Sequence, residues 1–138
     1  MSEVNYSPIE LKHVEGVMRL CEAEGWPSFL ESADMTWRAL SAPGVTTIVA
    51  TRGEEVVGFV QVQSDGLIQA HLSNMAVDAG LRRQSIGRRL VEEAFERCGA
   101  KRIDLNSTEG ADAFYESFVH QKYPGYRIYP DGGKRARG

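Results

Sequence analysis

Residues 78–89 read DAGLRRQSIGRR and gather Arg82, Arg83, Arg88 and Arg89 around Ser85 and Gly87. A turn of that composition ahead of a helix suits a phosphate. The helix start offers unpaired backbone N–H groups and about half a positive charge. Gly87 keeps the backbone approachable, Ser85 adds a hydroxyl, and the arginines add positive field. A solvated corner in which Ser85 serves only as an N-cap fits the same residues, and a single Gly does not separate the two readings. Nucleophilic chemistry is not signalled, since no Ser-His-Asp or Cys-His order occurs. Metal chemistry is not signalled either. Cys21, Cys98, His13, His71 and His120 show no ligand spacing.

The elements around this turn are set by periodicity. Residues 67–77 (LIQAHLSNMAV) form a long, mostly apolar run without Gly or Pro, as a central strand should. After the turn, Ile86, Leu90, Val91, Ala94, Phe95 and Cys98 share one helical stripe, and Arg88, Arg89, Glu92, Glu93, Glu96 and Arg97 the other face. Gly99 supplies the stop. Upstream, residues 45–51 and 56–63 are β-branched runs joined by a turn at 52–55, and residues 64–66 turn again into the long strand. Residues 5–9 suggest a first strand at an edge, because Pro8 cannot donate to a ladder. Helical spacing covers 9–23, and Ser32 or Asp34 caps a helix carrying Trp37 and Leu40 that ends at Pro43-Gly44. A strand is expected over 101–107, a helix capped by Thr108 over 109–119, and a last strand over 126–129.

Length and composition bound the rest. A chain of 138 residues suffices for one domain, residues 1–133, with a short basic tail at 134–138. Hydrophobic residues make up 42% and charged ones 25%, as in ordinary globular proteins. A net charge of −3 gives no support for nucleic-acid binding. No apolar run approaches membrane-spanning length, and residues 1–11 lack the regions of a signal peptide, so a cytoplasmic protein without membrane partners is expected. Cys21 and Cys98 fall on apolar stripes and read as buried free thiols.

The run VDAGLRRQSIGRRL resembles the acyl-CoA-binding motif of the GNAT family of N-acetyltransferases, Arg/Gln-x-x-Gly-x-Gly/Ala after a strand ending in Val. Arg82 stands at the Arg/Gln position and Gly87 at the second Gly, while Ser85 replaces the first. The resemblance runs from residue 45 to 129. ADAFYESFVH is similar to the family's A-x-x-F-Y-x-x-x-G-F signature, with Ala111, Phe114 and Tyr115 matching and Val119-His120 in place of Gly-Phe.

The resemblance implies an α/β (α+β) fold: a mixed, mostly antiparallel sheet flanked by helices, with parallel strands splayed at a CoA cleft. It implies acetyl-CoA as donor, bound by Arg82, Arg83, Gln84, Ser85, Ile86, Gly87 and Arg88 at the pyrophosphate. Met75, Ala76, Val77 and Asn106 would lie along the pantetheine. Tyr115 would be the general acid at the thioester sulfur. His71, six residues before Val77, would be the base, where the family's histone acetyltransferases carry Glu and its arylalkylamine acetyltransferases His. An imidazole's ordinary pKa of about 6.5 suits that task. Ser73 would position a water, and Trp26, Phe29 and Trp37 would wall an acceptor pocket. The expected activity is direct acetyl transfer to a small-molecule primary amine in a ternary complex. The alternatives are a protein or peptide acceptor and a non-catalytic acyl-CoA-binding module. A homodimer is compatible with this reading, and no metal is expected.

Overall fold

In the computed structural model, which describes residues 3–82 and 85–130, the β-branched runs become one five-stranded sheet in the order β1-β2-β3-β4-β5. β1 (Val4–Pro8), β2 (Val45–Arg52), β3 (Glu55–Ser64) and β4 (Gln69–Val77) are antiparallel neighbours. β5 (Arg102–Asp104) joins β4 in parallel after a helical crossover, as a parallel pair requires. Pro8 sits on the edge strand, where its missing N–H is harmless. The β3–β4 turn is organised by Asp65, whose carboxylate accepts from the N–H groups of Leu67 at 2.8 Å and Ile68 at 2.7 Å. Those bonds, Ile68's foremost, hold its pKa below the usual carboxylate range.

Three helices of eight residues or more cover the two faces. α3 (Ile86–Cys98) lays Ile86, Leu90, Val91 and Ala94 on one face, against Ile48, Val60, Val62 and Leu72, while Phe95, expected on the same stripe, is exposed at its border. α1 (Val14–Glu24) and α2 (Ala33–Leu40) cover the other, where Val17, Cys21 and Leu40 pack on Val49, Phe59 and Ala76. Gly16 lets α1 approach the sheet, since a Cβ there would lie 2.7 Å from the Val56 side chain. Ser32 caps α2 by accepting from Met35 N–H at 3.1 Å. Cys21 and Cys98 are free and buried, and burial pushes the Cys21 thiol up to about 12.

Four expectations need correction. The helix expected from residue 9 opens as a 3₁₀ turn at Leu11–His13, and α1 proper begins at Val14. The strand expected over 101–107 pairs only at Arg102–Asp104, and residues 105–107 leave the ladder. The helix expected over 109–119 is α4, Asp112–Glu116. Gly110 at φ +88° excludes a start at 109, and Thr108 does not cap it. At its end, the Ser117 hydroxyl donates to Phe114 O at 2.6 Å. Residues 126–129 form no strand, and Tyr126 and Ile128 are exposed without a sheet neighbour. The basic tail lies outside the described residues.

A bulge in β4 decides which of its side chains reach the core. Gln61 pairs with Asn74 and Val62 with Leu72, so Ser73 is an extra residue in β4. Leu72 and Met75 therefore both pack in the core under α3, while Ala76 joins the core under α1 and α2.

Candidate active site

One edge of β4 is paired with β3 as far as Val77, but the other meets β5 only at Gln69, Ala70 and His71. From Leu72 to Val77 that second edge carries no strand among the described residues. Apart from Val77 O, which accepts from Arg82 Nε, its outward backbone donors and acceptors bond no described residue, as an extended ligand requires. Met75, Ala76 and Val77 lie on this stretch.

The chain then turns through Asp78, whose carboxylate accepts from Gly80 N–H at 2.8 Å. Arg82 ties the turn down: its Nε donates to Val77 O at 3.2 Å, and its Nη2 meets Glu24 Oε2, at the end of α1, at 2.5 Å. Arg83 and Gln84 lie outside the described residues. Ser85 sits at the N-cap position of α3 with φ +67°, the left-handed region that glycine adopts without cost, and its side chain makes no capping bond. Arg89 N–H is donated to Ser85 O. By helix geometry, the N–H groups of Ile86, Gly87 and Arg88 have no intrahelical acceptor. An uncapped helix start beside an open strand edge is a fit for a phosphate followed by a linear, amide-bearing arm.

The arginines of α3 hold the surrounding elements. Arg88 Nη2 donates to Ser117 Oγ at 2.8 Å and Ser117 O at 3.2 Å, and its guanidinium lies 4.0 Å from the Phe118 ring centre. Arg89 pairs with Glu93 at 3.1 Å and lies over Tyr6. Gly87 permits a close fit to α4, since a Cβ there would come within 3.1 Å of the Phe114 ring and 3.8 Å of Met75. Tyr115 packs edge-on to Phe114 with ring centres 5.0 Å apart. Its hydroxyl bonds no described residue. Burial pushes its pKa up, so the phenol holds its proton at neutral pH.

His71 stands exposed on β4, with Gln63 of β3 opposite on one side and Asp104 of β5 on the other. Its ring makes no hydrogen bond to a described residue, and neither does Ser73 at the bulge. Asn106 lies just beyond β5, where a side chain on Gly125 would collide with it. The aromatic residues assigned to an acceptor wall divide. Trp26 and Phe29 pack on the core under α1, while Trp37 is half-buried on α2.

The sequence reading missed several members of this region. Gln61, only 4% exposed, donates to Ala39 O at 3.4 Å and accepts from Asn74 Nδ2 at 3.0 Å, linking α2 to the bulged strand. The polar alternation of Gln61, Val62 and Gln63 was the available signal. Asp104 and Ser117 had none, because their importance depends on strand register and on where α4 ends. Among the described residues no group of three or more His, Cys, Asp or Glu could hold a metal. No described helix is long and apolar enough to cross a membrane.

Comparison with known proteins identifies the family and the fold. Residues 10–127 match the model of the acetyltransferase (GNAT) domain. No curated protein matches the chain. An aminoglycoside acetyltransferase from an uncultured soil metagenomic sample superposes with a TM-score of 0.76 at 18% identity, over 92% of this chain and 95% of that one. A GNAT family protein from Streptococcus pneumoniae gives 0.72 at 25% identity, over 94% and 98%. The aminoglycoside N-acetyltransferase AAC(6')-Iy, solved in complex with CoA, gives 0.75 at 12% identity, over 94% and 95%.

Proposed function

Since the chain belongs to the GNAT acetyltransferase family, and is an acyl-CoA-dependent N-acetyltransferase with acetyl-CoA as donor, we propose that it acetylates a small-molecule primary amine by direct transfer. The observation that carries the proposal is the pairing of an open β4 edge, residues 72–77, with the uncapped start of α3. In this reading the amides of Ile86, Gly87 and Arg88 hold the pyrophosphate, and Met75, Ala76 and Val77 bond the pantetheine arm along the strand. Asn106 borders that arm. Arg82 fixes the turn through Val77 and Glu24.

The remaining steps are proton transfers. An amine must lose a proton before it attacks, and a thiolate must gain one as it leaves. His71 takes the first proton through water, with Ser73 beside it on the bulge. Tyr115 supplies the second, which its raised pKa favours by keeping the hydroxyl protonated. Two of the neighbours are aminoglycoside acetyltransferases, which agrees with a small, polar acceptor.

Release of free CoA thiol across a panel of small amines and peptides tests the proposal. Turnover is expected with small amines, and His71→Ala should lower kcat/KM by about 10²-fold. Turnover confined to peptide N-termini or lysine side chains would replace the small-molecule reading. Binding of acetyl-CoA with no turnover of any amine would leave a non-catalytic module.

A further inference from the structure

We propose that Asp104 selects a cationic acceptor, binding an ammonium group of the incoming amine beside His71. The inference deepens the acceptor site proposed above and rests on that site's lying over β4. Gln63, His71 and Asp104 form one row across β3, β4 and β5, each in register with the next. Residues in register project to the same face with Cβ atoms about 5 Å apart. All three are exposed.

Asp104 makes no hydrogen bond or ion pair with any described residue. The cation nearest in register is Arg102, two residues back on the same strand, and its Nη2 donates to Gln69 Oε1 at 3.0 Å instead. Gln63 brings no charge from β3. Among the described residues the Asp104 carboxylate is therefore an unpaired negative charge, one strand away from the side chain assigned to receive the amine's proton. Aliphatic amines reach neutral solution as ammonium ions. A fixed anion at the approach raises their local concentration and orients them. The row places a charge for the ammonium, a base for its proton and an amide for a polar neighbour within a single stripe of sheet.

The probes are 1,5-diaminopentane, a dication at neutral pH, and methoxyamine, which is uncharged there. Binding of each is measured by calorimetry to protein saturated with CoA, so that no turnover is needed, and kinetics are then measured with acetyl-CoA. Asp104→Asn should weaken diamine binding about five- to tenfold, the scale of one solvent-exposed charge pair reinforced by orientation. It should raise KM for the diamine more than it lowers kcat, and leave methoxyamine and CoA binding unchanged. Asp104→Glu should restore most of the diamine affinity. Equal losses for both amines would make Asp104 a structural residue and overturn the inference. So would unchanged diamine affinity in the asparagine variant, or no diamine binding by the wild type. Wild-type binding that depends on Asp104, without thiol release from any amine, would uphold the inference and defeat the transferase mechanism instead.

Discussion

On the α3 side of β4, Leu72 and Met75 pack in the core, whereas on the opposite side His71 and Ser73 bond no described residue and only Ala76, further along, is buried. One strand thus carries a structural face and a chemical face. The bulge at Ser73 lets it do both, because the extra residue returns Met75 to the core while keeping two neighbouring polar side chains, Ser73 and Asn74, at the bend. The contrast is one of unused bonding capacity. Core residues have no polar group left to satisfy, while the exposed row retains donors and acceptors that no described residue meets.

The greatest loss is expected on the structural face. Leu90 is fully buried at the centre of the α3 core, so Leu90→Ala should cost about 2–5 kcal/mol by lost transfer energy and an unfilled cavity. Gln63→Ala, on the chemical face, should change stability by no more than about 0.5 kcal/mol. Denaturant midpoints for the two variants measure the difference. Comparable losses would mean that the exposed row also braces the sheet.

Tyr115 combines the two kinds of environment, since its ring packs against the α3 core while its hydroxyl bonds no described residue. Tyr115→Phe should keep the edge contact with Phe114 and leave the thermal midpoint and acetyl-CoA affinity nearly unchanged. The expected loss is in kcat, by about 10²-fold, the scale of general acid catalysis. Full activity in the phenylalanine variant would confine Tyr115 to packing.

The same division explains which parts of the molecule were legible in the sequence. The β2–β3 hairpin and α3 were readable because their buried faces impose strict alternation or helical spacing on apolar residues. Turn chemistry at Gly53 and Asp65 agreed with that pattern. The row of Gln63, His71 and Asp104 was not readable as a row, because its β4–β5 register is set by a crossover whose length does not encode pairing. The region after β5 misled for a related reason. Phe114, Tyr115 and Phe118 keep helical spacing, but Gly110 and Ser117 confine the helix to little more than one turn. Apolar residues at 126 and 128 resembled a strand, but they are exposed and join no ladder of the described sheet. Within the phosphate turn, Ser85 was identified as a departure from glycine, but its positive φ was visible only in the structure.

That φ gives a smaller prediction. A non-glycine residue in the left-handed region costs about 1 kcal/mol relative to glycine, and Ser85 recovers nothing through a capping bond. Ser85→Gly should therefore stabilise the protein by about 1 kcal/mol, read as a raised denaturant midpoint. Acetyl-CoA affinity should shift by less than tenfold, about 1.4 kcal/mol. A larger loss of affinity would make the Ser85 hydroxyl a principal phosphate ligand.

The slightest effect separates two histidines. The His71 ring bonds no described residue, whereas His13 is buried ahead of α1 and its Nδ1 accepts the Glu10 N–H at 2.9 Å. That bond requires an unprotonated Nδ1, and burial lowers the pKa of His13 despite the opposing charge of Glu10. A base with a lowered folded-state pKa favours unfolding when it gains a proton. Its contribution is therefore complete above the ordinary imidazole value, about 6.5, and erodes as the pH falls from there towards the lower folded-state value. Urea midpoints measured downward from neutral pH should show this loss. His13→Asn, which keeps an acceptor for the Glu10 N–H but does not titrate, should flatten the slope in that window. An unchanged slope in the asparagine variant would assign the acid sensitivity to other groups and leave His13 a packing residue.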